Sequence, residues 1–400
     1  MALLIPTTHL SFLADIVGVS LMACRRMHRV VGWMTAILLG FHITLLMSNH
    51  QRDWSLRKEK NFFALIGAVS TGALVCFSFS FIRQHLFEMF IRTHQGLAAV
   101  FVYSTWRHLS STAFDSQIYI YVSLGLLGIT TVVHIALFVF RNGVFPSRPH
   151  PRASITCARA KEGLAHVGQE GTPLRVRVLL SRPLRVKAGQ YVNLWMPTVS
   201  LVSWTQSHPF MVTSWSPEKQ NVLEFFVQSR RGLTKTIHSR AALDGFASYT
   251  AFVSGPYGAS KSMDDYECVL AVATDFGIAG VISYLKKLVY GYNTSTSYVR
   301  RVHFVWQVQS LDIAVAAQSF LNDLLSDDVL DNGYILEISF YVNFGRLKEA
   351  FGIHGRAAVF NGDPNYENIV LEEASGKYIS RLPNTSQEQG KALVLEYETS

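Results

Sequence analysis

The chain has 400 residues, of which 49% are hydrophobic and 16% charged, and its net charge is +8 at pH 7. This length favours two or three domains, and the long apolar runs within residues 1–140 favour a membrane protein, whereas residues 141–400 have the composition of a soluble module. The basic residues form no long run and stand beside apolar segments, which argues against a nucleic acid as partner, and the four scattered cysteines argue against a disulfide framework or an iron–sulfur cluster.

The first 140 residues contain five candidate membrane helices. Phe62–Phe81 has twenty residues without a charge, which is enough to cross a bilayer. Val30–Met47 and Gln117–Phe140 qualify in the same way, and each contains one histidine. Thr93–Leu109 is less apolar, and Leu10–Cys24 is short, so that it either spans the bilayer or lies at its interface. The lipid bilayer is therefore the first predicted partner.

Clusters of arginine predict the orientation of these helices. If the helices alternate in direction, three clusters fall on one side, which is the cytoplasmic side because cytoplasmic loops carry an excess of Lys and Arg. The basic loop 49–61 falls on the other side and disagrees, but three clusters outweigh one. We therefore expect the residues after the last helix to lie in the cytosol, and the chain to reside in the plasma membrane or in a vacuolar or other internal membrane. The clusters are Arg25, Arg26 and Arg29; Arg83 and Arg92; and Arg141, Arg148 and Arg152.

Two pairs of histidines repeat one spacing: His28 and His42 lie fourteen positions apart, and so do His94 and His108. On an α-helix, fourteen residues advance about 21 Å and return to within about 40° of the starting face. Two such helices side by side bring together two pairs of imidazoles at two depths, and neutral imidazoles are suitable axial ligands of haem iron. A single intramembrane histidine is as often an ordinary bundle residue, which is our interpretation of His134. The repeated spacing predicts two coaxial haem sites.

Beyond the linker near residue 145 the pattern changes to that of a soluble module. Short alternating strands, at residues 174–180, 190–197 and 222–229, predict a small antiparallel barrel. From about Tyr266 an apolar strand, a helix and a second strand predict a βαβ unit of a parallel, nucleotide-binding type of sheet.

The histidine segments carry a family resemblance. HRVVGWMTAILLGFH (28–42) resembles the third-helix motif of the ferric reductase and NADPH oxidase superfamily, and LFEMFIRTHQGLAAVFVYSTWRHL (86–109) resembles its fifth. The similarity runs over nearly the whole chain and is greatest to fungal ferric-chelate reductases. It implies two b-type haems, with His28 and His94 as ligands of the inner haem and His42 and His108 as ligands of the outer haem.

The resemblance implies a multi-domain fold. An α-helical transmembrane bundle over residues 1–145 is followed by a ferredoxin-reductase-like module, with an antiparallel β-barrel FAD domain over 146–260 and an α/β NAD(P)-binding domain over 261–400. Relatives continue past a Cys-Gly-containing strand to a C-terminal aromatic residue near the flavin, whereas this chain ends GKALVLEYETS. We therefore expect the last domain to be incomplete at its C-terminus after a first βαβ unit, and the bundle to be shortened at its start.

HPFMVTSW (208–215) resembles the flavin-binding signature of the superfamily. By that resemblance His208 and Phe210 pack on the isoalloxazine ring system beside Pro209, and Thr213 and Ser214 bond the ring and the ribityl chain. Met211 stands where relatives have Thr or Ser, so one expected hydrogen bond is missing. The alternative is an exposed strand with a proline break.

RRGLTKTI (230–237) resembles the loop and helix start that hold the flavin pyrophosphate. Gly232 permits close approach, Thr234 and the following N–H groups are donors at a helix N-terminus, and Arg231 or its neighbour Arg230 neutralises charge. A helix cap explains the glycine and the threonine equally well. SGPYG (254–258), with Gly255, Pro256 and Gly258, lies against the nicotinamide in the family and is otherwise a tight turn.

ATDFGIAG (273–280) follows a buried strand and opens a helix, which is the setting of a phosphate-binding turn. It lacks the GxGxxG pattern, since only Gly277 and Gly280 remain where many relatives have further glycines. Many relatives also place an arginine after the second strand to bind the 2′-phosphate of NADPH, where this chain has Gln309. The choice between NADPH and NADH therefore stays open.

The resemblance implies a transmembrane oxidoreductase that passes electrons from cytosolic NAD(P)H through FAD and two haems to an acceptor outside, with ferric chelates as the first expectation. The cofactors carry the chemistry, and no separate catalytic residue is expected. One alternative is a superoxide-generating NADPH oxidase, in which oxygen is the acceptor. The other is a shortened product that binds haem and flavin but transfers hydride poorly.

Overall fold

The structure is a computed structural model of the 400-residue chain. It divides into two compact units, Met1–Leu137 and Phe138–Ser400, which are described separately below. The residues that the structure describes are 9–48, 55–85, 87–109, 114–144, 149–157, 171–200, 202–230, 232–330, 335–342, 356–379 and 390–397.

The first unit is helical. Gly18 ends its first helix with a φ of 73°, a left-handed conformation that glycine adopts without strain. The predicted segment Leu10–Cys24 is therefore not one helix, and its eight-residue first part, about 12 Å long, is too short to span a bilayer. The helices are α1 Leu10–Val17, α2 Leu21–Ser48, α3 Glu59–Phe77, α4 Ser80–His85, α5 Phe87–His108 and α6 Phe114–Arg141.

Small residues set the packing of α3 against α5. Ser70 and Ser104 are buried, and a Cβ on Gly67 would lie 3.2 Å from the Ser104 hydroxyl oxygen. Apolar lipid gives little driving force for helix association, so close backbone approach between small residues is what holds such pairs together. At the end of this helix pair, Arg107 forms an ion pair with Glu59.

Three helices in the described part of the chain are long and apolar enough to cross a membrane: α2, α3 and residues Ser116–Arg141 of α6. Large apolar side chains on α2 and α6 face outward, with Ile37 and Val132 each 67% exposed. Such surfaces are unfavourable in water and suit a hydrocarbon environment. Helix α5 carries Arg92 and Arg107 and is less apolar, as the sequence indicated.

The second unit begins with antiparallel strands in two sheets. One sheet has the strand order β5-β2-β1-β6 and the other β4-β3-β7, and alternate side chains such as Val176, Leu194 and Phe225 fill the core between them. This arrangement confirms the predicted antiparallel flavin-domain fold. The strands are β1 Arg152–Cys157, β2 Pro173–Leu184, β3 Tyr191–Trp195, β4 His208–Met211, β5 Gln220–Gln228, β6 Ala247–Thr250 and β7 Phe252–Tyr257, and helix α7 Leu233–Asp244 lies between β5 and β6.

A five-stranded parallel sheet follows, with the order β11-β10-β9-β8-β12. Strand β8 is buried at every residue except Thr274, which is typical of a sheet covered on both faces, and eleven of the sixteen residues of helix α8 are buried. The elements are β8 Cys268–Thr274, α8 Ile278–Asn293, β9 Arg301–Val308, α9 Leu311–Asp327, β10 Leu336–Val342, β11 Ala357–Asn361, α10 Tyr366–Ala374 and β12 Ala392–Tyr397.

The sequence indicated only the first βαβ unit of this sheet. In the structure the chain goes on to three further strands, and β12 lies parallel to β8 with Tyr397 opposite Ala273. The segment ALVLEY has only six residues, and a short apolar run does not by its periodicity distinguish a strand from another structure.

Candidate functional site

All four predicted haem ligands lie on two helices of the first unit. His28 and His42 are on α2, and His94 and His108 are on α5, so each fourteen-residue interval runs along one continuous helix. The two intervals are therefore true helical spacings of about 21 Å.

The structure brings His28 and His94 together. Their ring centroids are 6.1 Å apart, with an angle of 64° between the ring planes. Nitrogen–metal bonds to imidazole are about 2 Å long, so this separation leaves room for one metal ion between the two rings. The Nδ1 atom of His94 is buried and has no hydrogen-bond partner among the described residues. An unsatisfied buried nitrogen beside a second imidazole fits a site that a metal group completes.

His42 and His108 are not brought into contact with each other in the described part of the chain. His42 is exposed, and His108 is the last residue of α5. The Nδ1 atom of His108 lies 2.9 Å from the backbone oxygen of Lys60. A backbone carbonyl on one ring nitrogen fixes the tautomer and leaves the other nitrogen free to bind, as metal-ligating histidines commonly show.

A third histidine pair was not predicted. His134 on α6 stacks on His9 with centroids 4.3 Å apart and the rings inclined by 24°, and Phe12 packs on its edge at 5.5 Å. The sequence treated His134 as an ordinary bundle residue, and a stacked aromatic environment is consistent with that interpretation. No spacing rule connects positions 125 residues apart, so the sequence held no signal for this contact.

The predicted flavin segment forms strand β4 and the turn after it. His208 pairs with Leu194 and Phe210 with Val192 in the antiparallel ladder to β3, and both side chains are half-buried. Pro209, between them, is exposed. These side chains lie at the surface of the barrel, where a ligand can reach them.

Thr213 and Ser214 follow this strand. The hydroxyl of Ser214 accepts the amide of Glu224 at 3.2 Å, whereas the hydroxyl of Thr213 is buried without a hydrogen-bond partner among the described residues. Such a group costs about 1–3 kcal/mol, so a bound group that pairs with it is favoured. This unsatisfied hydroxyl fits the predicted flavin site.

The predicted pyrophosphate loop runs into helix α7. Gly232 precedes the helix with a φ of 72°, a conformation that side chains rarely adopt, and Thr234 accepts the amide of Arg230 at 2.9 Å. Within the described residues no side chain caps this helix at Gly232, which leaves N–H groups of its first turn open to an anion. Arg231 lies outside the described residues.

The SGPYG turn is held by hydrogen bonds from side chains of its own unit. The backbone oxygen of Gly255 accepts a hydrogen bond from Arg141, and the oxygen of Gly258 accepts one from Gln190 at 3.0 Å. The Gly255–Pro256 bond is cis, and Gly255 and Gly258 have φ values of 121° and 101°. Only glycine tolerates such angles, so both glycines are required by the turn itself.

Asn142 extends this anchorage. Its side chain is fully buried, donates to the oxygen of Val253 at 2.9 Å and accepts the Val253 amide at 2.7 Å. It therefore pairs with β7 as a neighbouring strand would. The sequence analysis missed this residue, because an asparagine directly after a helix is a common C-terminal capping residue and does not indicate a tertiary contact.

The predicted phosphate-binding turn has an unexpected neighbour. A Cβ on Gly277 would overlap the backbone oxygen of Tyr397, and a Cβ on Gly280 would overlap its ring. Both glycines therefore permit β12 to pack against the start of α8, whether or not a nucleotide also binds. Among the described residues no side chain caps α8 at Gly277, and the 3₁₀ turn Asp275–Gly277 runs directly into the helix.

The turn also contains a residue that the sequence analysis did not single out. Asp275 has a φ of 41°, which is uncommon for a residue other than glycine. Its carboxylate accepts the amide of Gln309 at 2.8 Å, and its backbone oxygen accepts the indole N–H of Trp306 at 2.9 Å. The turn after β8 is thereby joined to the end of β9.

The fold is an α-helical transmembrane bundle followed by a ferredoxin-reductase-like module, as the sequence predicted. Residues 1–105 match the family model described as ferric reductase like transmembrane component, and residues 170–261 match that of an FAD-binding domain. The matched ranges contain the histidine pair on α2, the His28–His94 contact and the flavin segment.

Individual relatives are consistent with the match to the ferric reductase family model. The chain is 27% identical over 288 residues to ferric reductase transmembrane component 3 of Saccharomyces cerevisiae, covering 70% of this chain and 37% of the relative. It is 26% identical to ferric/cupric reductase transmembrane component 2 of the same yeast, covering 76% and 40%. It is 22% identical to the probable cell surface ferric reductase kap2 of Aspergillus oryzae, covering 76% and 41%.

The predicted resemblance to the ferric reductase superfamily, and to its fungal members, is thus confirmed. With its apolar helices, the chain is an integral membrane protein. It spans about two fifths of the length of these curated relatives.

Proposed function

We propose that the protein is a transmembrane ferric reductase, which takes electrons from NAD(P)H in the cytosol and delivers them to ferric chelates on the other side of the membrane. The observation that carries this proposal is the His28–His94 pair, 6.1 Å apart, inside the region that matches the ferric reductase model. Bound FAD and two b-type haems would supply the redox chemistry.

In the membrane unit, the protein's own part is to hold the haems. His28 and His94 are the proposed ligands of one haem, and His42 and His108 of the other. The carbonyl of Lys60 orients His108, and small residues hold α3 close to α5. Because the two pairs lie fourteen residues apart on each helix, the ligands provide two levels across the bilayer.

In the soluble unit, we assign flavin binding to the rim of the barrel. His208, Pro209 and Phe210 would contact the ring system, and Thr213 and Ser214 would bond it. The first turn of α7, with Gly232 and Thr234, would receive the pyrophosphate, and Arg231 would neutralise it. The nucleotide would bind over the SGPYG turn and at the N-terminus of α8, beside Gly277 and Gly280.

Ferric chelate is the preferred acceptor for two reasons. Proteins similar to this chain are named ferric reductases, and one of them ferric/cupric reductase. In addition, Arg57, Lys58 and Lys60 at the start of α3 are exposed, and a basic surface raises the local concentration of anionic chelates. The arginine clusters place this loop opposite to the cytosol in the proposed threading, in the plasma membrane or an internal membrane.

The test is the difference spectrum of the purified full chain, reduced minus oxidised, with released flavin quantified. We expect two b-type haems and one FAD per chain. The variant His94→Ala should lose one haem equivalent and retain FAD, and the control His134→Ala should retain both haems. Two haems in the His94→Ala protein would contradict the assignment.

The acceptor needs its own measurement. Iron reduction by membranes that contain the protein is followed with and without superoxide dismutase. We expect no effect of the dismutase, because ferric chelate is reduced directly. Loss of iron reduction in its presence would instead identify oxygen as the acceptor.

A further inference from the structure

Side chains of the barrel contact the end of the last membrane helix on two sides. The last turn of α6, which begins at Phe138, belongs to the second unit. The ring of Phe138 lies 6.0 Å from that of Trp195 and 5.8 Å from that of Phe252. Phe140 is about 200° further round the helix, and the guanidinium carbon of Arg182 on β2 lies 4.1 Å from the centre of its ring. The barrel therefore meets opposite sides of the helix end at one level.

That level corresponds to the headgroup layer of a bilayer. Helix α6 has 28 residues and is about 42 Å long. A bilayer with its headgroups is about 40–45 Å thick, so a helix of this length that crosses it ends among the headgroups. Asn142, directly after the helix, is hydrogen-bonded to Val253 on β7, so that no free linker separates the barrel from α6. The barrel side chains around the helix end therefore lie in or beside the headgroup layer.

Exposed aromatic side chains are present at this level. The indole N–H of Trp195 donates to the backbone oxygen of Trp204 at 2.9 Å, and the two rings lie 6.0 Å apart. Trp204 is 66% exposed and Phe140 is 56% exposed. His150, whose ring lies 5.9 Å from that of Phe252, is exposed as well. Tryptophan is enriched at membrane–water interfaces, which accommodate both its apolar ring and its polar N–H group.

The charge at this level is positive. The Nε atom of Arg182 is buried and has no hydrogen-bond partner among the described residues, and within the same ranges Arg182 forms no ion pair. Residues 178–217, which include β3 and Trp204, contain three Lys or Arg and no acid, and residues 138–152 contain three Arg and no acid. A guanidinium binds the oxygens of a phosphate group in its own plane. The donors of Arg182 thus suit an anionic phosphate group.

We propose that the rim surface, formed by Phe140, His150, Arg182 and Trp204, docks on anionic phospholipid headgroups of the bilayer that α6 crosses. Arg182 receives a headgroup phosphate, and Trp204 lies among the headgroups. The occupant is lipid because the surface continues from a membrane helix and is basic. In the proposed threading it faces the cytoplasmic leaflet, which carries anionic lipids. The inference needs only that α6 crosses the membrane, and it is independent of the electron acceptor.

The experiment measures hydrogen exchange in the full chain. The chain is placed in nanodiscs of phosphatidylcholine, in nanodiscs with increasing fractions of phosphatidylserine, and in neutral maltoside detergent. The reporters are amides of β3 and of the turn before β4, where the amides of Ser203 and Gln206 bond to carbonyls of the same turn. We expect their exchange to slow at least threefold from pure phosphatidylcholine to about 30% phosphatidylserine. Amides of α9, in the parallel-sheet domain, should not respond.

Variants identify the side chains that carry the effect. Arg182→Gln should raise the phosphatidylserine fraction that gives half of the slowing by about fivefold, since one arginine near an anionic surface contributes about that factor. Trp204→Ser should weaken the slowing in every type of nanodisc. The control Arg300→Gln removes the same charge from an exposed position directly before β9 and should change nothing. Unchanged exchange of α9 in each variant shows that the unit is folded.

The possible results separate lipid from other occupants of the rim surface. Equal exchange in the two types of nanodisc, or no response to Arg182→Gln, would overturn the docking on anionic headgroups. Slow exchange that is already complete in detergent would show that protein covers the surface, from the same chain or a second copy. Slowing by inorganic phosphate in detergent would identify a soluble anion as the ligand, and either of these last results would overturn the inference. Haem and flavin content are measured separately, so none of these results bears on the reductase proposal.

Discussion

Replacement of Glu373 by Gln should destabilise the parallel sheet strongly. Glu373, on α10, is only 3% exposed, and its two oxygens accept hydrogen bonds from Arg301 at 2.6 and 2.7 Å. His303 lies 2.8 Å from one oxygen, and the thiol of Cys268 donates to the other at 3.4 Å. Cys268 and Arg301 are the first residues of β8 and β9, so the carboxylate joins α10 to the amino edge of the sheet.

The size of the effect follows from the pKa of this carboxyl. Burial raises the pKa, but hydrogen bonds from His303 and Arg301 and the charge of Arg301 outweigh burial and lower it from 4.5 to about 2. A pKa unit corresponds to about 1.4 kcal/mol, so the ionised carboxylate contributes about 3 kcal/mol at neutral pH. Removal of one partner from a buried ion pair costs about 3–5 kcal/mol, which agrees with the value obtained from the pKa.

The pH dependence has a definite sign. Because the folded-state pKa is lowered, the stabilisation is complete above about pH 4.5 and is lost as pH falls towards 2. The assay is hydrogen exchange of β8 and β9 amides in the detergent-solubilised full chain, with urea denaturation as a second measurement. Glu372→Gln is the control, because the adjacent Glu372 is exposed and its partners in the described part of the chain are the exposed Lys377 and Tyr378.

We expect faster exchange and a lower urea midpoint in Glu373→Gln, and no comparable change in Glu372→Gln. A loss below about 1 kcal/mol in the Glu373 variant would refute the reasoning, since an exposed ion pair is worth that little. Equal effects of the two substitutions would refute it as well.

Two further predictions concern the polar anchor after α6 and the sidedness of the soluble unit. Asn142→Ala should leave the backbone N–H and C=O of Val253 without their partners and cost roughly 2–4 kcal/mol. The loss is measured as faster proteolysis and a lower melting temperature, and an unchanged melting temperature would contradict the anchor. The sequons at Asn293 and Asn384, of which Asn384 lies outside the described residues, should carry no glycan because the soluble unit is proposed to be cytosolic. In addition, the side-chain amide of Asn293 already donates to the backbone oxygen of Asp327 at 2.7 Å. A mobility shift on glycosidase treatment that disappears in an Asn293→Gln variant would reverse the proposed topology.

The parts of the fold that sequence predicted well are those with a regular period. The helical intervals between His28 and His42, and between His94 and His108, needed only the geometry of the α-helix, and the two helices did contain them. Strands with alternating apolar and polar residues, such as Tyr191–Trp195, likewise predicted an antiparallel sheet. Resemblance then supplied the expectation of a flavin, which no periodicity indicates.

Contacts between segments that are distant in the sequence could not be predicted from periodicity. The stacking of His9 on His134, the approach of Tyr397 to Gly277 and the pairing of Asn142 with β7 each depend on how separate elements meet, and no local pattern encodes them. The glycines of the ATDFGIAG turn illustrate the difficulty. The position of the turn between a buried strand and a helix, together with the family resemblance, suggested a nucleotide site, whereas in the structure these glycines also make space for strand β12.

The position of β12 has a consequence for folding during synthesis. Strand β8 pairs with β9 on one side and with β12 on the other, and its partners in β12 lie 124 positions later, at Ala392 opposite Cys268. Until β12 leaves the ribosome, one edge of the apolar strand CVLAVAT has no neighbour, and such an edge can pair with other chains. A contact of this sequence separation also closes slowly. Folding of the reductase module therefore depends on a long-range pairing between β8 and β12, and the edge of β8 is open to wrong pairing until β12 is available.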